Sequence, residues 1–265
     1  MPDLTVNGVR LAVEDVGEGP AILFVHGFPA DASLWQHQIA GLNGYRRVAP
    51  DLRGMGHSDA PASGYSMASY AADLRVLLDK LVVDRAVLCG LSMGGYVVFE
   101  CRRLWPERIS GVVLMDTRAE PDSEEAQRSR DTLIAETRAS GPAAVVAALL
   151  PKLLGATTVE RQPEVVAQVR RMILGTPVAG IVGALEAMKV RPDSRPLLPD
   201  LAALPVLVVC GDEDTVTPPD TARAMAAAIP GAALEIIPEA GHFAPLERPD
   251  LVTTVLHRFL DAAKM

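Results

Sequence analysis

The sequence predicts an α/β protein built on a mostly parallel sheet with helices on both faces. Short, near-continuous apolar runs alternate with segments of helical period, and several runs close at a Gly or Pro beside a polar residue. No unit of 20–50 residues repeats, which argues against a solenoid or propeller. The 265 residues suit one large domain, or one domain with a sizeable insertion.

Taken in order, residues 1–16 alternate more weakly and contain Asn7-Gly8, a hairpin signal, so an antiparallel edge is expected there. Ala21 to Val25 is a buried strand closing at His26-Gly27, and Tyr45 to Ala49 a second closing at Pro50-Asp51. Ser66 to Leu81 is a helix, because Met67, Tyr70, Ala71, Leu74, Leu77, Leu78 and Leu81 share one face. Ala86 to Cys89 is a third strand, followed directly by a helix over Met93 to Trp105, and Gly111 to Met115 is a fourth strand. Strand logic then lapses. Glu124 to Ser140, Ala143 to Leu154, Pro163 to Leu174 and Val178 to Val190 read as four helices, divided by Gly141-Pro142, Gly155, Gly175-Thr176-Pro177 and Arg191-Pro192. Strands resume with Val206 to Cys210 and Ala233 to Ile237, and a helix over Leu251 to Ala263 closes the chain. The helical block is far longer than one crossover requires. Residues 1–119 and 196–265 are therefore expected to form the core, and residues 120–195 a helical cap over the carboxyl edge of the sheet, where such folds bind ligands.

Composition narrows the function class. Hydrophobic residues make up 49% and charged residues 22%, the balance of a packed globular protein rather than a disordered one. Twenty-five basic against 33 acidic residues, net −8, argue against nucleic acid or an anionic membrane as the main partner. The uncharged run Ala86 to Phe99 spans fourteen residues and is broken by glycines, whereas a membrane span needs about 20 apolar residues. Met1-Pro2-Asp3-Leu4 lacks the basic start and apolar stretch of a signal peptide. Cys89, Cys101 and Cys210 are scattered, apolar-flanked and form no Cys-x-x-Cys pair, which suits a reducing compartment. A cytoplasmic enzyme is the expectation.

The sharpest chemical signal is Gly90-Leu91-Ser92-Met93-Gly94-Gly95, a Gly-x-Ser-x-Gly pattern with a buried strand before it and a helix after it. Small neighbours let the chain turn sharply, so that the Ser92 hydroxyl projects above the sheet beside the positive end of a helix. Such a hydroxyl needs a base. Of the five histidines, His37 and His257 sit in helical patterns, His26 ends a strand and His57 lies in a glycine-rich loop. His242, in the loop after the last strand, falls on the same sheet edge as Ser92 and is the expected base. Its acid partner is Asp212 or Asp214, both just after the fifth apolar strand; Asp214 lies 28 residues before His242, and the order Ser, Asp, His suits this sheet. No His or Cys stands at ligand spacing beside these acids, so no metal is expected there. The oxyanion of an acyl transfer requires preset donors. The backbone N–H of Met93 is one, and that of Phe28 the other, since Pro29 has none.

On these residues the sequence resembles the α/β-hydrolase superfamily over essentially its whole length. His26-Gly27-Phe28-Pro29, Asp51-Leu52-Arg53-Gly54-Met55-Gly56-His57-Ser58, Gly90-Leu91-Ser92-Met93-Gly94-Gly95, Gly211-Asp212-Glu213-Asp214 and Gly241-His242-Phe243 stand in that family's order. The resemblance implies an eight-stranded, mostly parallel sheet with a helical cap, Ser92 as nucleophile, Asp214 rather than Asp212 as acid, His242 as base, and Phe28 and Met93 as oxyanion donors. It gives Asp51 and Arg53 no chemistry and implies no cofactor. Within the superfamily the chain is most similar to small bacterial carboxylesterases and 3-oxoadipate enol-lactonase-like hydrolases. Perhydrolases (cofactor-free haloperoxidases) and carbon–carbon bond hydrolases share the triad, and some members of the fold serve as small-molecule receptors.

A carboxylic ester hydrolase acting through an acyl-serine, with water as second substrate, is thus expected. Its pocket is expected to be mainly apolar, lined by Phe28, Met93, Val216 and Phe243 from the core and by Leu149, Leu150, Leu153, Met172 and Met188 from the cap. Such a lining favours short- to medium-chain or aryl esters. A carboxylate-bearing lactone calls for an arginine in the cap, and Arg130, Arg138, Arg161, Arg170, Arg171 and Arg191 are all available there.

Overall fold

The computed structural model describes residues 3–263; Met1 and Pro2, part of the segment read for a signal peptide, and Lys264 and Met265 lie outside the described residues. The strands are β1 (Asp3–Val6), β2 (Val9–Val16), β3 (Ala21–Val25), β4 (Arg46–Pro50), β5 (Ala86–Leu91), β6 (Ile109–Met115), β7 (Val206–Gly211) and β8 (Ala233–Ile237). They form one eight-stranded sheet in the order β1-β2-β4-β3-β5-β6-β7-β8. β1 and β2 pair antiparallel through a turn in which Asn7 and Gly8 both take positive φ, the geometry a two-residue hairpin demands. β2 joins β4 antiparallel, and every later pairing is parallel.

Continuous burial of β3, β5 and β7 explains their unbroken apolar sequences: strands covered on both faces have no solvent side to mark with polar residues. The covering helices of the core are α1 (Gln36–Gly41), α2 (Met67–Lys80) and α3 (Met93–Leu104), with α9, α10 and α11 described below. Ser66 caps α2 in a reciprocal box with Ser69, which fixes the helix start one residue after the expected one. β5 runs two residues past its expected end, because Gly90 and Leu91 continue the ladder with Leu114 and Met115 before the chain turns.

Between β6 and β7 the chain is helical: α4 (Glu124–Ser140), α5 (Pro142–Leu153), α6 (Ala156–Arg161), α7 (Pro163–Gly175) and α8 (Val178–Lys189). α4 packs on α5 and α8, and α5 on α7. The core then closes with α9 (Pro219–Ala227), α10 (Ala244–Glu247) and α11 (Pro249–Ala262). Among the described residues no single helix is long and apolar enough to cross a membrane.

Successive parallel pairing of β3 with β5, β5 with β6, β6 with β7 and β7 with β8 brings the carboxyl ends of these strands to one edge of the sheet. The loops that leave them carry Phe28, Ser92, Asp116 with Arg118, Asp214 and His242 respectively.

Candidate active site

Ser92 joins β5 to α3 with φ 52° and ψ −115°, a strained conformation for a residue with a side chain. The turn is possible because of what its neighbours lack. A Cβ on Gly94 would stand 2.0 Å from the Val25 carbonyl oxygen, and one on Gly90 2.5 Å from that of Gly94. Two hydrogen bonds brace the turn from the end of β6 and the loop after it: the Ser92 N–H donates to the Met115 carbonyl at 3.0 Å, and the Thr117 hydroxyl donates to the Ser92 carbonyl at 2.8 Å. Met93 opens α3, where a helix leaves its first N–H groups without intrahelical partners and concentrates positive potential.

His242 is buried, and its Nδ1 lies 2.8 Å from Asp214 Oδ2. Asp214 is enclosed by donors: its Oδ1 accepts from the N–H of Val216 (2.7 Å) and Thr217 (3.0 Å), and its Oδ2 accepts from the Thr217 hydroxyl (2.6 Å). Burial alone would raise this carboxyl, but the His242 charge and hydrogen bond, helped by Thr217, outweigh it and bring the pKa down to about 2. Asp212 points elsewhere, accepting from the Ala240 N–H at 3.4 Å. Ser92 and His242 open onto one cavity of ≈ 600 Å³ and make no hydrogen bond to each other among the described residues. Nucleophile–base contacts are often longer before substrate binds.

None of the other histidines lines this cavity. His26 is fully buried, its Nε2 accepts from the Leu52 N–H at 3.0 Å, and burial lowers its pKa, so the ring is a neutral brace for the 51–58 loop. Asp51 accepts from the N–H of Ala32 and His57, each at 2.7 Å, and Arg53 pairs with Asp73 at 2.6 Å. His37 and His57 are exposed, and His257 pairs with Asp261 at 2.9 Å.

Phe28, Val216, Leu149, Leu153 and Met188 line the cavity, together with Tyr96, Leu133 and Leu185. Four residues expected in the lining depart from it. Leu149 and Leu153, four apart on α5, share its inner face, whereas Leu150 is turned about 100° away and packs on the core. Met172 belongs to a separate surface depression with Gln168, Arg171 and Gly175. The Phe243 ring stacks beside His242 and is wholly buried behind it. The Met93 side chain is likewise buried in the core, so only its backbone can face the site.

Several residues here carried no sequence signal. Thr217, three residues after Asp214, is one; that spacing, common in side-chain-to-backbone turns, is the only local hint. Asp116, in a left-handed conformation just after β6, is buried beside Asp214 and accepts from the Gly211 N–H at 2.8 Å through Oδ1. Burial and the Asp214 charge push its carboxyl well above the usual range. Asp116, Cys210 and Asp214 bring ligand-type atoms within 4.8 Å of one another. They suit a metal poorly: Asp214 is engaged by His242 and Thr217, and burial pushes the Cys210 thiol up, away from the thiolate that binds metals. Glu247 is buried, with Oε2 accepting from the Gly155 N–H at 2.7 Å and Oε1 from the Phe243 N–H at 3.0 Å; the Glu213 carboxylate accepts from the Thr157 N–H at 2.8 Å. The helical block is thereby tied to the loops that hold both Asp214 and His242.

Known proteins share this architecture. The family model described as alpha/beta hydrolase fold matches residues 20–249. The chain is 30% identical to 3-oxoadipate enol-lactonase 2 of Acinetobacter baylyi, over 97% of this chain and 96% of that protein. Among solved structures it resembles a thermophilic esterase from Thermogutta terrifontis, with 39% identity, TM-score 0.95, and 99% and 97% of the two chains covered. It also resembles the enol-lactonase of Burkholderia xenovorans, with 33% identity, TM-score 0.91, and 98% and 100% covered.

Proposed function

The chain belongs to the alpha/beta hydrolase fold family, and on that premise we propose that it is a serine hydrolase that cleaves carboxylic esters or lactones. The observation that carries this reading is the 2.8 Å contact between His242 Nδ1 and a strongly acidic, buried Asp214, with the His242 ring on the same cavity as Ser92. An ionised Asp214 can only accept, so Nδ1 holds the ring proton and Nε2 is left with a lone pair.

In the proposed cycle, His242 Nε2 takes the proton from Ser92 as Oγ bonds to the ester carbonyl carbon. The carbonyl π pair moves onto oxygen, and the N–H groups of Phe28 and Met93 receive that charge. The oxyanion collapses, the carbon–oxygen bond to the alcohol breaks, and His242 returns its proton to the leaving oxygen. Water, deprotonated by the same nitrogen, then adds to the acyl carbon; the bond from that carbon to Oγ breaks, His242 returns the proton to Oγ, and the acid and the free serine are released. Asp214 stays ionised and steadies the imidazolium.

Residues 120–195 act as the cap: α4, α5 and α8 supply Leu133, Leu149, Leu153, Leu185 and Met188 to the roof, where the acyl or alcohol chain packs. Short- to medium-chain or aryl esters are the expected substrates, and the enol-lactonase relatives bring lactones into the class. Three buried free cysteines suit a reducing cytoplasm. The test is acylation by a fluorophosphonate. Intact mass should show one adduct in the wild type and none in Ser92→Ala. That variant should also lose 4-nitrophenyl butyrate turnover by about five to six orders of magnitude. An adduct on Ser92→Ala, or near-normal turnover by it, removes Ser92 from the role.

A further inference from the structure

The charge of the cavity does not follow that of the protein. The chain carries a net charge of −8, yet Arg118, Arg130, Lys152 and Arg191, against only Asp122 and Glu136, line the space that Ser92 and His242 share. Most of these charges are already engaged. The buried Asp122 carboxylate pairs with Arg130 and Arg191 together. Arg191 also donates to the carbonyls of Glu120 and Met188 and lies 4.1 Å above the Tyr96 ring. Lys152 and Glu136 are exposed at the rim.

Arg118 is different. Its half-buried guanidinium donates to one acceptor, the Val216 carbonyl, and has no carboxylate partner among the described residues. A guanidinium offers five N–H donors in a planar fork, so most of this one is left for whatever enters. It borders the same cavity as Ser92 and His242, and its neighbours are bonded to the site. The preceding residue, Thr117, is hydrogen-bonded to Ser92, and Val216, which holds the fork, donates its own N–H to Asp214.

Building on the ester-hydrolase reading, we propose that Arg118 determines specificity by pairing with a free carboxylate on the substrate, so that the preferred esters or lactones are anionic. A planar carboxylate matches the fork with two parallel N–H···O bonds, which are strong where water is partly excluded. A neutral ester of the same length leaves that guanidinium without a counter-charge in a largely apolar cavity, and a site that presents an unpaired polar group discriminates against ligands that do not satisfy it.

The test uses two matched pairs of esters, because the carboxylate could sit on either side of the scissile bond. On the acyl side, 4-nitrophenyl hydrogen adipate is compared with 4-nitrophenyl hexanoate. On the alcohol side, 4-carboxyphenyl butyrate is compared with its methyl ester. The wild type should favour the carboxylate member of at least one pair by tenfold or more in kcat/KM. Arg118→Met should collapse that ratio at least tenfold, and Arg118→Lys should restore part of it. A merely structural loss would lower both members together and leave the ratio unchanged, which overturns the proposal. So does a wild type that turns over the neutral members and shows no preference in either pair, while the ester-hydrolase reading survives. If no ester is turned over, that reading falls, and adipate binding by calorimetry decides the Arg118 claim alone. Saturable binding weakened at least tenfold in Arg118→Met supports it, and absent or equal binding overturns it.

Discussion

Replacing Asp214 by Asn changes almost no volume and should nevertheless disable the site. Oδ1 of Asp214 faces the N–H groups of Val216 and Thr217, so the amide oxygen of the Asn must take that position. Its NH2 group then faces His242 Nδ1, where Oδ2 stood at 2.8 Å. Two donors cannot share that contact, so the ring moves its proton to Nε2 and loses the lone pair that would accept from Ser92. In the serine-protease template the same exchange lowers turnover about 10⁴-fold, which corresponds to about 5.5 kcal/mol of transition-state stabilisation. Asp116 supplies the internal comparison. It is buried within the same cluster, but its carboxyl is held toward the neutral form, and an Asn there keeps the oxygen that accepts from Gly211. Asp116→Asn should therefore stay within about threefold of wild type, less than 0.7 kcal/mol. The assay is kcat/KM for 4-nitrophenyl butyrate at pH 8, with urea unfolding of each variant to confirm that it is folded. Asp214→Asn within tenfold of wild type, or Asp116→Asn as damaged as Asp214→Asn, refutes this reasoning.

Three further outcomes follow from the same geometry. The Asp214 carboxyl is lowered from 3.8 to about 2 in the folded protein, so its contribution is fully present above pH 4 and is lost as pH falls toward 2. At 1.36 kcal/mol per unit it amounts to about 2 kcal/mol, and urea midpoints at pH 5 and pH 2.5 should drop less in Asp214→Asn than in the wild type. Gly94→Ala forces a Cβ to 2.0 Å from the Val25 carbonyl, so it should destabilise the fold by about 1–3 kcal/mol and displace Ser92; unchanged melting and turnover would contradict that packing. Glu247→Gln cannot accept from both Gly155 and Phe243, and one buried N–H is left unpaired at a cost of about 1–3 kcal/mol. Calorimetry should record that loss, and a variant as stable as wild type would show that these contacts add little.

The sheet was legible because burial on both faces writes itself into sequence as unbroken apolar runs, as in Ala21–Val25 and Val206–Gly211. The runs on either side of Ser92 were equally plain, since the strand–turn–helix passage needs glycines at fixed offsets. Other features depend on contacts between distant segments. The six-residue α6 has too few residues for a periodic face and is held at its start by Glu247 and Glu213, from 92 and 56 residues away. Asp116 gains its meaning only from Asp214 and Gly211, and Arg118 only from having no acid partner among the described residues. The same limit explains Leu150 and Met172: an apolar residue on one of the inserted helices reads alike whether it faces a cavity or a neighbouring helix, and docking angle decides.

The ties at Gly155 and Thr157 bear on how the helical block can move. They pin the start of α6 to the segments that carry Asp214 and His242, so that corner cannot swing without dragging both. Ser129, Thr132 and Glu136 on α4 and Lys152 near the end of α5 are all solvent-exposed where they border the cavity. The cavity thus meets solvent along α4 and the end of α5, while the Gly155 and Thr157 ties hold Asp214 and His242 in register.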